Sequence, residues 1–281
     1  MKIGIGLPNT VAGTPASLIP VWARTAALGP FASLGVHDRF LYDSVEPLTA
    51  LAAAASVTET VELACLVAIA PLRPAVLLAK QARSIDAISG ERLVLGLGVG
   101  PREDDYELAG IAYGQRGRIL DQQLDDLRTL WRQPSFGPHT SRIRPKLLLG
   151  GASEAALLRT SRYADGYVHN GGPARVFRTA IDRLQSAWSD SGRPGCPEVW
   201  GLGYFALGPG AEADGHRDLL EYYGFTGGFV SRIAGGLLTS PSAVRDFARD
   251  YAQAGCDHLV LFPTVGRLDQ VERLGEVVAM L

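Results

Sequence analysis

Three short stretches of this 281-residue chain put reactive or ligand-binding groups where an apolar run ends. In VHDRF, an imidazole (His37), a carboxylate (Asp38) and a guanidinium (Arg39) follow one another. Asp38 can accept a hydrogen bond from a ring N–H or a hydroxyl, while His37 or Arg39 can move a proton or hold an anion. An ion pair between Asp38 and Arg39, or a loop cap by Asp38, would use the same residues without chemistry. In LLLGGASEAALLR, Gly150 and Gly151 end one run, and Ala152 and Ser153 lead into a helix. Free N–H groups, a helix dipole and a hydroxyl converge there, which suits a phosphate. An ordinary turn with Ser153 as cap has the same spacing. In RLVLGLGVGPREDD, Gly96, Gly98 and Gly100 are spaced G-x-G-x-G. That spacing fails the G-x-G-x-x-G pattern of a dinucleotide-binding turn.

Other polar groups carry less. The acids Glu103, Asp104 and Asp105 read as a solvated loop, as do His139 and His216. His258 falls at the amino end of a strand and reads as structural; His169, at a carboxyl end, stays a minor candidate. No H-E-x-x-H spacing points to a metal, so none is expected, and no G-x-S-x-G elbow points to a hydrolase.

The elements that must position these groups alternate along the whole chain. Strands are predicted at residues 3–7, 31–36, 61–67, 93–97, 146–149, 166–169, 199–205 and 258–262. Helices are predicted at 16–28, 47–57, 74–88, 115–131, 153–164, 174–189, 243–254 and 268–279. Strict alternation implies a parallel sheet, and eight units favour closure into a (β/α)8 TIM barrel, with residues 1–281 forming a single domain. Residues 208–240 are too long for a plain seventh crossover and are expected to form a helical insertion, a lid over the barrel. In such a barrel the site lies at the carboxyl ends of the strands, where all three stretches fall.

Composition excludes several classes. A net charge of -2 gives no electrostatic case for nucleic acid or an anionic membrane. The apolar runs fall short of the roughly 20 residues of a membrane span. Three scattered cysteines suit a reducing compartment, so a cytoplasmic location is expected.

Taken in order, RPAVLLAKQARSIDAISGERLVLGLGVGPREDDYELAG, RGRILDQQLDDLRTLW and KLLLGGASEAALLRTSRYADGY resemble the bacterial luciferase-like superfamily of flavin- and deazaflavin-dependent oxidoreductases. KIGIGLPN and VHDRF fit that family's first two strand ends; beyond Asn170 only the architecture matches. The resemblance implies that Gly96, Gly98 and Gly100 leave room for a flat cofactor ring across the barrel mouth. It implies a cofactor phosphate at Gly150, Gly151, Ala152 and Ser153. It also implies a non-prolyl cis peptide behind the ring at Leu66–Val67, with Cys65 beside it. Asp38 matches the carboxylate that deazaflavin-dependent members use at the ring edge, whereas Arg39 stands where they carry a proton-handling His. Pro101 replaces a Glu of that branch, and Asp104 falls near a ring-contacting position.

The resemblance thus implies coenzyme F420, with FMN as the alternative. The activity implied is hydride transfer to or from a small organic substrate, with His37, Asp38 and Arg39 as candidate catalytic residues. An FMN-dependent monooxygenase, with a separate reductase as partner, is the alternative; a flavin-binding protein without catalysis is a third reading. An enzyme acting on a phosphorylated metabolite would share the glycine-pair anion site. A homodimer is expected, with LTALAAAASV as a contact unless that run packs in the core.

Overall fold

The computed structural model describes residues 1–281. Eight strands pair in parallel and in chain order: β1 (Lys2–Gly6), β2 (Ser33–Val36), β3 (Glu62–Ile69), β4 (Leu93–Gly98), β5 (Lys146–Gly150), β6 (Gly166–Val168), β7 (Glu198–Phe205) and β8 (His258–Pro263). β8 closes onto β1, with Ile3 opposite Leu259 and Ile5 opposite Leu261, so no sheet edge is left open. The chain is a (β/α)8 TIM barrel.

The helices are α1 (Leu18–Ala27), α2 (Pro47–Ala55), α3 (Ala75–Ile88), α4 (Glu103–Leu108), α5 (Arg116–Trp131), α6 (Glu154–Tyr163), α7 (Ala174–Asp190), α8 (Ala211–Tyr222), α9 (Val230–Ala234), α10 (Pro241–Gln253) and α11 (Asp269–Val278). Their starts follow from local chemistry. Glu46 caps α2 by accepting the Thr49 amide at 2.7 Å, and Pro47 takes a first-turn place where no N–H is needed. Ser153 caps α6 by accepting the Ala156 amide, and Ser240 caps α10 in the same way. The alanine-rich α2 buries Leu48, Ala50, Leu51, Ala54 and Ala55 in the layer between barrel and helices. No helix is long and apolar enough to cross a membrane.

Strand alternation divides the core in two. Ala64 and Leu66 of β3, Trp200 and Leu202 of β7, and Val260 and Phe262 of β8 fill the barrel interior. Cys65, Leu95 and Leu261 face outward into the larger layer under the helices. The β4 glycines are demanded by β3. A Cβ on Gly96 would lie 2.3 Å from the Cys65 carbonyl oxygen, and one on Gly98 would lie 2.7 Å from a Val67 methyl. These glycines therefore let two strands approach closely. The Leu66–Val67 peptide is cis, at the position the sequence comparison indicated.

Between β7 and α10 the chain forms α8, a 3-10 stretch (Gly224–Phe229) and α9. Its return is pinned to the barrel: the Leu238 amide donates to the Tyr204 carbonyl at 2.9 Å, and the Ala206 amide donates to the Leu238 carbonyl at 3.0 Å. Ala206, Ala211, Leu219, Ala234, Leu237 and Val265 give this segment a small core of its own.

Candidate active site

A cavity of about 1460 Å³ opens at the carboxyl ends of the strands, larger than most pockets for one small ligand. His37, Asp38 and Arg39 reach it from the end of β2, Leu66 and Val67 from β3, and Gly98 and Gly100 from the end of β4. Gly150, Gly151, Ala152 and Ser153 form its wall after β5. Tyr222, Tyr223 and Phe225, from the segment between β7 and α10, border it as well. The structure thus gathers every sequence-predicted site residue except Cys65, Gly96 and Asp104.

Cys65 fails for a geometric reason. Leu66 points into the barrel, so Cys65 points out, where it is wholly buried under the helices. Burial also pushes its thiol well above the usual range, so it is not a ready thiolate. Asp104 lies on α4, not on a loop; it does not line the cavity and pairs with Arg102. The next residue turns inward: Asp105 is fully buried and lines the cavity, and its Oδ1 accepts the Leu41 amide at 2.8 Å. The acidic cluster is therefore a short helix with one interior carboxylate rather than a solvated loop.

Asp38 borders the cavity, yet its carboxylate is held by the protein itself. Arg73 donates to both oxygens, at 2.5 and 3.2 Å, and the Ile69 amide donates to Oδ2 at 2.7 Å. The side chain is only 1% exposed. Burial works against the charge of Arg73, but Asp38 and Glu46 outweigh it and hold the guanidinium above its ordinary pKa. Asp38 thus ties β2 to the end of β3, and it forms no pair with Arg39. Arg39 instead donates to the Tyr222 carbonyl at 3.0 Å and lies over the ring of Tyr42 at 3.9 Å. Its guanidinium links the β2 end to the segment above the barrel.

His37 is stacked on Phe262 with ring centroids 3.7 Å apart. Its Nδ1 is 2.9 Å from the Leu66 carbonyl oxygen, and its Nε2 is 3.2 Å from the Tyr204 hydroxyl. Burial lowers its pKa to about 4, against the Leu66 hydrogen bond that favours the charged form. The Tyr204 hydroxyl in turn meets that of Tyr223. Sequence reasoning missed Tyr204 and Arg73; Tyr223 belongs to the aromatic run Tyr222–Phe225, which the sequence marks only as apolar cover for a substrate or as packing of the segment. A signal for Tyr204 was present: Trp200, Leu202 and Tyr204 share one face of β7, and Tyr204 is the last inward position before the mouth.

The opposite wall suits an anion. The backbone N–H groups of Gly151, Ala152 and Ser153 donate to no group of the protein. Gly151 has φ +125°, a conformation that favours glycine. Six arginines border the cavity; Arg102 pairs with Asp104 and Arg159 with Asp121, which leaves Arg39, Arg116, Arg175 and Arg232 without a carboxylate partner, against the lining carboxylates of Asp38 and Asp105. These unpaired amides and this charge excess fit a phosphorylated cofactor with further anionic groups.

Comparisons with known proteins agree with this geometry. The chain belongs to the luciferase-like monooxygenase family, whose model matches residues 1–254. An uncharacterized protein of Mycobacterium tuberculosis is 32% identical over 162 residues, 53% of this chain and 56% of that protein. The pyrimidine monooxygenase RutA of Stutzerimonas stutzeri is 29% identical over 180 residues, 57% of this chain and 50% of RutA. The matches thus span about half the length of these curated relatives. Among solved structures, an F420-dependent secondary alcohol dehydrogenase in complex with an F420-acetone adduct superposes with a TM-score of 0.82. That likeness covers 98% of this chain and 97% of the other at 14% identity, and it speaks for the fold alone.

Proposed function

We propose that this family member is an F420-dependent oxidoreductase that transfers hydride between the deazaflavin and a small organic substrate bound under the segment of residues 208–240. The observation that carries the reading is the two-sided cavity. One wall offers the unpaired amides of Gly151, Ala152 and Ser153, and arginines outnumber acids around the rim. The other wall is an apolar strand end at Leu66 and Val67, beside His37 and Tyr204. A deazaflavin coenzyme has a flat ring, a phosphodiester and carboxylates, so both walls find a partner on it. FMN has one phosphate and leaves more of the arginine excess uncompensated.

When bound, the reduced coenzyme supplies the hydride. The protein's own groups bind, orient and exclude water. Gly151, Ala152 and Ser153 would anchor phosphate, and Leu66 and Val67 would lie against the ring. Arg39, over Tyr42 and bonded to the Tyr222 carbonyl, would hold the covering segment down.

A second reading, an FMN-dependent monooxygenase, draws on the similarity to RutA. Titration of the purified protein with coenzyme F420 and, separately, with FMN distinguishes the two by cofactor fluorescence or absorbance. Tighter binding of F420 is the expected outcome. Preference for FMN would transfer the proposal to the monooxygenase reading, and binding of neither at micromolar concentration would remove the cofactor assignment.

A further inference from the structure

The side chains first considered for proton handling are all committed elsewhere. Asp38 is locked by Arg73 and the Ile69 amide, and Arg39 is bonded to the Tyr222 carbonyl. His37 faces a carbonyl oxygen through Nδ1. A carbonyl only accepts, so Nδ1 must carry the proton and donate it to Leu66. With its pKa lowered to about 4, the ring is neutral at pH 7, and Nε2 is a bare acceptor. His37 therefore has no proton to give into the cavity.

That assignment fixes the direction of every hydrogen bond that follows. The contact with Nε2 requires Tyr204 to donate its O–H. A phenol has one proton, so in the Tyr204–Tyr223 contact Tyr223 must be the donor. The chain runs from Tyr223 to Tyr204 to His37 to the Leu66 carbonyl, and it is polarised throughout. The Tyr204–His37 bond, at 3.2 Å, is long for an O–H donor and is the contact most readily exchanged for another acceptor. Both tyrosines border the cavity.

We infer that Tyr204 is the catalytic proton donor to a substrate oxygen, that Tyr223 restores its proton, and that His37 is a positioning residue that aims the Tyr204 hydroxyl. The inference rests on the proposed function, which supplies the reduced deazaflavin as hydride source, and it names the substrate class: aldehydes or ketones. In the step, a C–H bond forms as hydride reaches the carbonyl carbon, and the C=O π pair moves to oxygen. That oxygen takes the Tyr204 proton. The Tyr223 proton passes to the Tyr204 oxygen, and solvent at the rim returns a proton to Tyr223. The carbonyl is reduced to an alcohol, and the coenzyme is oxidised by two electrons.

Two measurements test it. Long-range ¹H–¹⁵N spectra of the cofactor-free protein at pH 7 identify the His37 ring by its loss in His37→Gln. The expected result is a neutral ring protonated at Nδ1, with an Nε2 resonance that shifts in Tyr204→Phe while Nδ1 stays put. An imidazolium, or a proton on Nε2, would overturn the polarised chain. The F420-loaded protein is then screened against aldehydes and ketones. Tyr204→Phe is expected to lower kcat about 100-fold with KM changed less than about threefold. Tyr223→Phe is expected to lower it about tenfold. Wild-type kcat in Tyr204→Phe, or no carbonyl acceptor in the screen, overturns the inference while F420 binding still stands. Failure to bind F420 in the separate titration overturns the proposed function itself, and the hydride source with it.

Discussion

The two ends of the barrel each hold a histidine stacked on an aromatic ring with centroids 3.7 Å apart: His37 on Phe262 at the mouth and His258 on Trp200 at the base. Burial lowers both pKa values, to about 4 and about 3. Residue type, stacking and charge state are matched, yet the surroundings differ. At the base, His258 has its Nε2 2.8 Å from the Ser33 hydroxyl and is fully buried. Below it Lys146 bridges Glu62 and Glu198 at 3.2 and 2.9 Å, closing that end. At the mouth, the free nitrogen of His37 faces a tyrosine hydroxyl that borders a cavity of about 1460 Å³. A perturbed histidine thus marks burial in both places. What separates plug from site is the room beyond the second nitrogen.

The largest effect is expected from Arg73→Met, which leaves the Asp38 carboxylate buried without its partner. Unfolding in urea should show a loss of about 3–5 kcal/mol, part of it recovered in Arg73→Met with Asp38→Asn. A loss near zero would mean that the ion pair is not what holds the mouth together. Next, His258→Ala should cost about 3 kcal/mol, since it opens a cavity beside Trp200 and strands the Ser33 hydroxyl. His37→Ala should cost about half as much, because its ring already borders open space. Equal losses would break the contrast between the ends.

The pH dependence sharpens the matched half of the comparison. Both histidines have folded pKa values below the unfolded value of about 6.5, so the unfolded chain binds more protons between the two values. Their contribution is present above about pH 6.5 and is lost as the pH falls through about 4 for His37 and about 3 for His258. Urea midpoints between pH 7 and pH 4 should therefore fall less steeply in His37→Gln and in His258→Gln than in the wild type. An unchanged slope in either variant would contradict the neutral assignment of that ring. The smallest effect is expected from Asp104→Asn. Its carboxylate lies off the cavity and is already paired with Arg102, so F420 affinity should stay within about twofold of wild type.

The fold was legible because strand and helix periods alternate without a break, and because Pro47, Ser153 and the glycine pair punctuate them where the elements turn. The mouth was legible through one rule, that barrel chemistry sits at the carboxyl ends of strands, which brought His37 and Gly150 to Ser153 into one reading. Its failures have physical causes. Cys65 was placed by adjacency in sequence, but pleating sends neighbours to opposite faces. Asp104 and Asp105 were read as loop, because a six-residue helix gives too little periodicity to see. Arg73 and Tyr204 were missed because their partners lie far away in the chain, at Asp38 and His37. The glycines of β4 could be recognised as special but not explained, since the close approach lies on β3, at the Cys65 carbonyl and a Val67 methyl.

The most direct test of the account is a crystal structure of the protein with coenzyme F420. Phosphate oxygens are expected within hydrogen-bond distance of the Gly151, Ala152 and Ser153 amides, with the ring against Leu66 and Val67 and within reach of Tyr204. A coenzyme bound elsewhere, or a ring turned away from the β3 end, would contradict it.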